Sequence, residues 1–212
     1  MPLFHIHGLI AILAASIKSG ASVCASNGFN ALKFLELAKT EKITWYSGVP
    51  TMHQAILLRA EKNLELAKNL NLRLIRSSSA SLPPAVFEKL NSVFGCSVIE
   101  AYGMTEATHQ MTSNPLPPKK QKPGFVGIPA GPEVCIMDEK DKILDQGETG
   151  EVCIKGDNVT LGYDNNPEAN KNSFTNGWFR TGDQGYFDQN GYLKLSGRLK
   201  EIINKGGEKI SP

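Results

Sequence analysis

The feature that most constrains the fold is the alternation of helix-like and strand-like segments through residues 1–115. Between residues 31 and 38 the apolar side chains recur at i, i+3, i+4 and i+7, which is typical of an amphipathic helix. Pro50 fits the first turn of another helix, which we expect to continue to Ala60. Short runs between such segments are predicted to be strands: residues 43–47, 72–77 and 97–101. This alternation predicts an α/β fold with a mostly parallel sheet and flanking helices.

Other segments of the same region have less regular patterns. Residues 8–19 are apolar nearly all round, which predicts a buried helix. Residues 21–25 form a short β-type run that we expect to be a strand. Ser81 and Pro83 mark the start of the last predicted helix, and Gly95 ends it because glycine readily adopts the left-handed backbone that closes helices.

The character of the chain changes after residue 114. Residues 115–123 are polar and rich in proline, which indicates an exposed connection. Asn166 followed by Pro167 predicts the start of one helix, and the Asn190-Gly191 pair predicts a tight hairpin turn. The clearest strand-like runs are residues 134–137, 151–155, 185–188 and 192–196. We therefore expect an α/β part over residues 1–115 and a small β-rich subdomain over residues 116–198.

Charge and cysteine usage argue against several functional classes. The net charge of +2 over 212 residues is too small to favour nucleic acid or a membrane surface as a partner. The four cysteines lie far apart without a CxxC pair, which disfavours a disulfide framework or a zinc site and indicates a reduced intracellular compartment. The sequence has no apolar run long enough to span a bilayer and no G-x-S-x-G nucleophile motif. It also has no intact Walker-type or dinucleotide glycine motif.

The densest group of chemically capable side chains lies in residues 100–106. Because this group follows a predicted strand, it should lie at the carboxyl edge of the sheet, where open α/β sheets bind ligands. Tyr102 offers a flat face for a ring, and Gly103 lets a ligand approach the backbone. Thr105 offers a hydroxyl to a phosphate oxygen, and Glu106 offers a carboxylate suited to Mg²⁺. An ordinary turn from a strand into a helix would account for the same residues.

Two later groups are weaker when each is taken alone. Asp183 lies between glycines, which predicts a tight, exposed turn whose carboxylate could accept hydrogen bonds from both hydroxyls of a ribose. A turn aspartate bonded to its own backbone is the plainer alternative. Arg198 could bind a ribose or a phosphate and Gly206-Gly207 permits close approach, although a solvated basic loop has the same composition. His5 and His7 would share one side of an extended segment, but the histidines show no metal-ligand spacing.

In their order along the chain, these groups together resemble the AMP-dependent synthetase and ligase superfamily. The motifs that carry the resemblance are Tyr102-Gly103-Met104-Thr105-Glu106, Arg180-Thr181-Gly182-Asp183 and Gly197-Arg198-Leu199-Lys200-Glu201. The resemblance extends over essentially the whole chain. Residues 2–8, 107–115 and 206–212 are most similar to the oxalate–CoA ligase subgroup.

The resemblance implies an ATP-dependent acid–CoA ligase that works in two steps. A carboxylate attacks the α-phosphate of ATP to give an acyl-adenylate and pyrophosphate, and the thiol of coenzyme A then displaces AMP. Cations, with Mg²⁺ among them, must offset the repulsion between the carboxylate and the polyphosphate. The implied substrate is a small carboxylic acid, with oxalate as a candidate, and the implied compartment is the cytosol or the peroxisome.

The resemblance also implies roles for individual residues. Thr105 and Glu106 are the implied catalytic residues, with Thr105 on phosphate and Glu106 as a ligand of Mg²⁺. The implied nucleotide-binding residues are Glu100, Ala101, Tyr102, Thr105, Asp183 and Arg198. Histidines line the implied acid pocket, namely His5, His7 and His109. Lys200 corresponds to a hinge between half-reactions, and Gly206 and Gly207 correspond to positions near coenzyme A.

The resemblance further implies that the chain is a fragment of such an enzyme. Residues 199–212 would form the hinge and the start of a C-terminal lid, the phosphate loop would precede Phe4, and the adenylation lysine would follow Pro212. We therefore expect this chain alone not to complete adenylation. Ser78-Ser79 replaces a Gly-Gly pair that is common in relatives, which weakens the transfer of adenine contacts to this loop. The alternatives are an adenylating module with another acceptor and a non-catalytic nucleotide-binding remnant.

Overall fold

A mixed five-stranded sheet organises the first part of the chain. The computed structural model describes residues 1–199, 203–205 and 208–210. The strands of this first sheet, in spatial order, are β1 (Trp45–Gly48), β2 (Leu74–Ser77), β3 (Ser97–Met104), β4 (His109–Ser113) and β5 (Ile128–Pro129). Strands β1 to β3 run parallel, whereas β4 and β5 are antiparallel to their neighbours. The α/β class is confirmed, and the sheet is mixed because a short turn rather than a crossover helix follows β3.

Helices pack beside the parallel strands and form the first hydrophobic core. They are α1 (His7–Ala14, continuing as Ala15–Lys18), α2 (Phe34–Thr40), α3 (Pro50–Ala60), α4 (Leu64–Lys68) and α5 (Pro84–Phe94). Ile56 of α3, Ile75 of β2 and Leu90 of α5 are completely buried in one cluster. Gly95 ends α5 with φ +62°, as the sequence predicts. Within the part of the chain that the structure describes, no helix is both long and apolar enough to cross a membrane.

Two predictions for the first part of the chain are wrong in detail. Helix α1 is not a buried helix, since Leu9 and Ile17 are 44% and 63% exposed. Its buried residues are His7, Gly8 and Ser16, so the helix is only partly covered. Residues 21–25 form no strand and are exposed. An isolated extended run gains little stability unless a neighbouring strand pairs with it.

The second part of the chain forms an antiparallel sheet, as predicted for the β-rich region. Its strands are β6 (Glu133–Met137), β7 (Gly150–Lys155), β8 (Phe174–Thr175), β9 (Trp178–Phe187) and β10 (Leu193–Arg198). The order is β10-β9-β7-β6, and β8 pairs with β9. Helix α6 (Pro167–Ser173) begins as predicted, with the side chain of Asn166 accepting a hydrogen bond from Ala169 N at 3.1 Å. Strands β11 (Ile203–Lys205) and β12 (Glu208–Ile210) pair with each other.

Backbone hydrogen bonds join the two sheets. Val126 N donates to Leu193 O at 2.9 Å, and Leu193 N donates to Gly127 O at 2.7 Å. A second hydrophobic cluster includes Met111 from the first sheet and Phe179 from the second. The two sheets therefore share a core. Strand β5 follows residue 116 but belongs to the first sheet, and the division of the chain at residue 116 stays a prediction.

The pairing of β3 with β4 depends on a glycine. A Cβ atom at Gly103 would lie 1.5 Å from His109 O, so any side chain there forces the two strands apart. We expect Gly103→Ala to lower the free energy of unfolding by about 3 kcal/mol or more, measured by urea denaturation. The control is Gly48→Ala, where the new Cβ would meet His53 Cε1 at 3.4 Å. Similar losses in both variants would contradict this account of the pairing.

Candidate functional site

The centre of the candidate site is a hydrogen-bonded triangle of three side chains from three strands. Tyr102 of β3 donates its hydroxyl proton to Asp183 Oδ2 at 2.5 Å, and Arg198 Nε donates to Asp183 Oδ1 at 2.8 Å. Asp183 and Tyr102 are buried, whereas the Arg198 side chain is 59% exposed. Burial and the nearby Asp183 carboxylate raise the pKa of Tyr102, which keeps the phenol protonated. The triangle joins β3, the middle strand of the first sheet, to β9 and β10 of the second.

The burial of Asp183 corrects the prediction of an exposed turn. Asp183 lies within the long strand β9, at a point where the register with β7 shifts between Glu151 and Cys153. Gly182 has φ +75° and its N–H donates to Glu151 Oε1 at 2.9 Å. The glycine thus allows a bulge in a continuous strand rather than a reversal of the chain, and the bulge turns Asp183 inwards.

The threonine–glutamate pair begins a single turn directly after β3. Thr105–Ala107 form a short 3₁₀ helix. Strand β3 extends further than the sequence predicts, because β4 pairs with its last residues. Glu106 Oε1 accepts a hydrogen bond from the Tyr163 hydroxyl at 2.8 Å. Burial and this hydrogen bond raise the pKa of Tyr163 to about 12. No pattern in the sequence points to Tyr163, which precedes α6 and comes from a distant part of the chain.

A cavity of about 430 Å³ brings the threonine–glutamate pair together with other predicted residues. Its wall includes His5, Thr105, Glu106, His109 and Arg198. Consecutive left-handed residues, Thr108 at φ +50° and His109 at φ +81°, form the turn into β4. Such backbone is uncommon for residues other than glycine, and it concentrates at functional sites.

A second cavity of about 560 Å³ also adjoins the end of β3. Its wall includes Ala101, Tyr102, Asp183 and Arg198. Ser79, Gly103, Met104 and Arg198 line both cavities. The three sequence motifs therefore meet around one crevice, although the role of each residue remains a prediction.

Glu100 has a structural function that the sequence does not reveal. Its side chain is buried, and its carboxylate accepts hydrogen bonds from Leu82 N at 3.0 Å and from Gly124 N at 3.1 Å. These bonds tie two loops at the edge of the second cavity. Burial raises the pKa of Glu100 to about 7, although the two backbone N–H groups act in the opposite direction.

The three histidines predicted for an acid pocket occupy different environments. His5 is exposed and its Nδ1 accepts from His7 N at 3.2 Å. His7 and His109 are buried, with their ring centroids 5.2 Å apart. Burial, assisted by the charge of Arg76, lowers the pKa of His7 to about 3 and of His109 to about 4, so both rings are neutral at pH 7. His7 stands behind the wall of the first cavity and contacts it through Ser79, with Nδ1 3.0 Å from Ser79 Oγ.

Arg76, whose guanidinium lies beside His7 and His109, is a buried residue that the sequence analysis missed. It lies in β2 and is 6% exposed, and burial lowers its pKa to about 10. The sequence does contain a signal for it, namely an arginine inside a run predicted to be a parallel strand. Such strands are buried on both faces, so a charged residue within one is unusual.

Some predicted residues and groups lie beyond this geometry. Lys200, Gly206 and Gly207 fall outside the described residues. Within those residues, no group of three or more His, Cys, Asp or Glu side chains is arranged to hold a metal ion. The Glu106 carboxylate and the Thr105 hydroxyl nevertheless provide the hard oxygen atoms that suit Mg²⁺ when phosphates supply the other ligands.

Comparisons with known proteins agree on one family. Residues 1–164 match the family model described as AMP-binding enzyme. Over the whole chain, the sequence is 54% identical to oxalate–CoA ligase of Arabidopsis thaliana and 38% identical to sulfoacetate–CoA ligase of Cupriavidus necator, and it spans 42% and 41% of those proteins. The crystal structure of ATP-bound MatB from Rhodopseudomonas palustris superposes with a TM-score of 0.92 at 33% identity, and the whole chain covers 42% of it. The chain thus spans about two fifths of the length of the curated relatives it matches.

Glu100 predicts a specific pH dependence of stability. Its pKa in the folded chain, about 7, lies above the ordinary value of 4.5, so the folded state retains a proton that the unfolded state loses. The contribution of Glu100 to the free energy of unfolding should therefore fall as pH rises from about 4.5 to 7, by up to about 3 kcal/mol, whereas the buried neutral His7 and His109 contribute with the opposite sign. The difference in the free energy of unfolding between the unsubstituted chain and Glu100→Gln, measured by urea denaturation at several pH values, should isolate this contribution and decrease over that range. The exposed Glu88 supplies the control, and a Glu88→Gln variant that gives the same pH-dependent difference would refute the assignment.

Proposed function

Because the chain belongs to the AMP-binding enzyme family, we propose that the protein is an ATP-dependent acid–CoA ligase. It activates a small carboxylic acid as an acyl-adenylate and transfers the acyl group to coenzyme A. The observation that carries this proposal is the triangle of Tyr102, Asp183 and Arg198 beside the Thr105–Glu106 turn. One crevice then offers a ribose acceptor, a cation and a phosphate contact within reach of a single nucleotide.

The second cavity is the proposed nucleoside site. Tyr102 and the backbone of Glu100 and Ala101 flank the adenine, and Asp183 accepts hydrogen bonds from the ribose hydroxyls. Each Asp183 oxygen already accepts one hydrogen bond, and each has a second lone pair for a ribose hydroxyl. The protonated Tyr102 and the charged Arg198 hold that carboxylate in one orientation, which supports a ribose-binding function.

The first cavity is the proposed site of phosphates and acid. Thr105 donates its hydroxyl proton to a phosphate oxygen, and Glu106 holds Mg²⁺, which when bound supplies positive charge against the repulsion between two anions. His5 and His109 line the same cavity and face the acid. Among small acids we propose oxalate, which a relative at 54% identity is named for.

The remaining assignments are proposals that rest on the family resemblance alone. They concern Lys200 as a hinge residue, Gly206 and Gly207 near coenzyme A, and residues 199–212 as the start of a lid. We propose the cytosol or the peroxisome as the compartment, which is supported by the absence of a disulfide among the four cysteines.

The ribose assignment predicts a loss of nucleotide affinity in Asp183→Asn. Hydrogen bonds to a charged acceptor contribute about 1.5–3 kcal/mol, so the Kd of AMP should rise about tenfold or more. Isothermal titration calorimetry on the purified chain measures this, and circular dichroism checks the fold. The control is Asp145→Asn at an exposed position. Equal AMP affinity in the Asp183 variant and the unsubstituted chain would exclude the proposed ribose contact.

The metal assignment predicts that Glu106→Gln removes the effect of Mg²⁺ on ATP binding. In the unsubstituted chain, ATP should bind about tenfold more tightly with Mg²⁺ than with a chelator, because the ion bridges phosphate and carboxylate. The variant should show little difference between the two conditions. Glu65→Gln, at an exposed position of α4, should behave as the unsubstituted chain does. An undiminished Mg²⁺ effect in Glu106→Gln would assign the ion to other ligands.

A further inference from the structure

Two cysteines lie directly opposite each other on neighbouring antiparallel strands of the second sheet. Cys135 of β6 is the Cα partner of Cys153 of β7. Directly opposed residues point their side chains to the same face of a sheet. Both cysteines belong to one buried cluster with Met137, and Trp178 packs against that cluster. Neither sulfur has a part in the proposed ligase chemistry.

The strand geometry places the two cysteines within the range that a disulfide requires. Ile136 O accepts a hydrogen bond from Leu144 N, on the side of β6 that faces away from β7. Because hydrogen bonding alternates along antiparallel strands, the adjacent pair Cys135 and Cys153 is a hydrogen-bonded pair, whose Cα atoms lie about 5.5 Å apart. Disulfides join Cα atoms separated by about 4.4–6.8 Å, most often about 5.5–6 Å. The bond can therefore close mainly by rotation of the two side chains.

The two thiols differ in access and in acidity. Strand β6 is the last strand in the order of the sheet, and Cys135 is 9% exposed, whereas Cys153 of the inner strand β7 is fully buried. The Cys153 thiol donates a hydrogen bond to the Cys135 sulfur and lowers the pKa of Cys135, and the charge of Arg180 on the flanking strand β9 acts in the same direction against burial. The same hydrogen bond, together with burial, raises the pKa of Cys153. A small oxidant therefore reacts first with Cys135.

From this arrangement we propose that Cys135 and Cys153 are a site of reversible oxidation, at which hydrogen peroxide joins β6 to β7 through a disulfide. The Cys135 sulfur attacks the peroxide, so that an S–O bond forms, the O–O bond breaks and the departing hydroxide leaves as water with the thiol proton. The Cys153 sulfur then attacks the sulfenic sulfur, so that the S–S bond forms, the S–O bond breaks and a second water leaves with the Cys153 proton. The two thiols are oxidised by two electrons in total, and the peroxide is reduced by the same two.

The second thiol gives this site a protective function. A sulfenic acid with no thiol nearby is oxidised further to sulfinic acid, which thiols do not reduce. Cys153 intercepts the sulfenic acid, and a thiol reductant afterwards restores both cysteines by exchange. The protected strand β7 also carries Glu151, which accepts a hydrogen bond from Gly182 N beside Asp183. The proposal is nevertheless independent of the ligase assignment.

Peptide mapping by mass spectrometry tests the proposal on the folded chain. Hydrogen peroxide should produce a peptide link between Cys135 and Cys153, and dithiothreitol should remove it. The exposed Cys24 shows within the same sample that the oxidant was effective. In Cys153→Ala, Cys135 should accumulate as sulfinic acid, whereas in Cys96→Ala, the matched substitution of another buried cysteine, the link should form as before. Circular dichroism checks the fold of each variant.

Tryptophan fluorescence provides a second readout that requires the folded state. The chain has two tryptophans, and Trp45→Phe leaves Trp178, beside the cysteine cluster, as the sole indole. A disulfide quenches a neighbouring indole, so peroxide should lower the emission of this variant and dithiothreitol should restore it. The reversible loss of emission should be absent when Cys153→Ala is added.

Three results would overturn the proposal. The first is a failure to link Cys135 and Cys153 under conditions that oxidise Cys24. The second is a link that forms only in urea, because the two thiols would then meet only in the unfolded chain. The third is sulfinic acid at Cys135 in the unsubstituted chain to the same extent as in Cys153→Ala, which would exclude interception by the second thiol.

Discussion

The interaction on which the site depends is the bonding of one buried carboxylate by a phenol and a guanidinium. Asp183 is covered by protein, where a carboxylate without hydrogen-bond donors is costly, and Tyr102 and Arg198 provide one donor to each oxygen. Because Tyr102 belongs to the first sheet and Asp183 and Arg198 to the second, this bonding also links the two sheets. The same three groups thus serve the fold and the proposed chemistry.

A second constraint is the close approach of β3 and β4. Gly103 lets the backbone of His109 come within a distance that no side chain tolerates, and the chain between them turns through two left-handed residues. The sharp turn keeps Thr105 and Glu106 at the end of the parallel strands instead of starting a long helix. As a result, the residues proposed for phosphate and for acid lie in one small space. Backbone strain and strand pairing together produce this proximity.

The sequence predicted the parts of this molecule that depend on local patterns. Pro50, Gly95 and the Asn190-Gly191 turn lie where helix and hairpin signals place them, and the family resemblance rests on contiguous motifs. The missed features depend on partners distant in the chain. The burial of Asp183 requires the register shift against β7, and the contact of Tyr163 with Glu106 joins residues far apart in sequence. Arg76 was missed because its neighbours in space, His7 and His109, come from other elements.

The hydrogen bond from Tyr163 to Glu106 has a consequence for the timing of ligand entry. The phenol occupies one direction of approach to Oε1, so an arriving cation must share that oxygen or push the ring aside. Displacing the ring would pull on the loop before α6, because the backbone of Tyr163 is hydrogen-bonded to the Asn170 side chain. The position of that loop would then depend on whether Glu106 holds a cation.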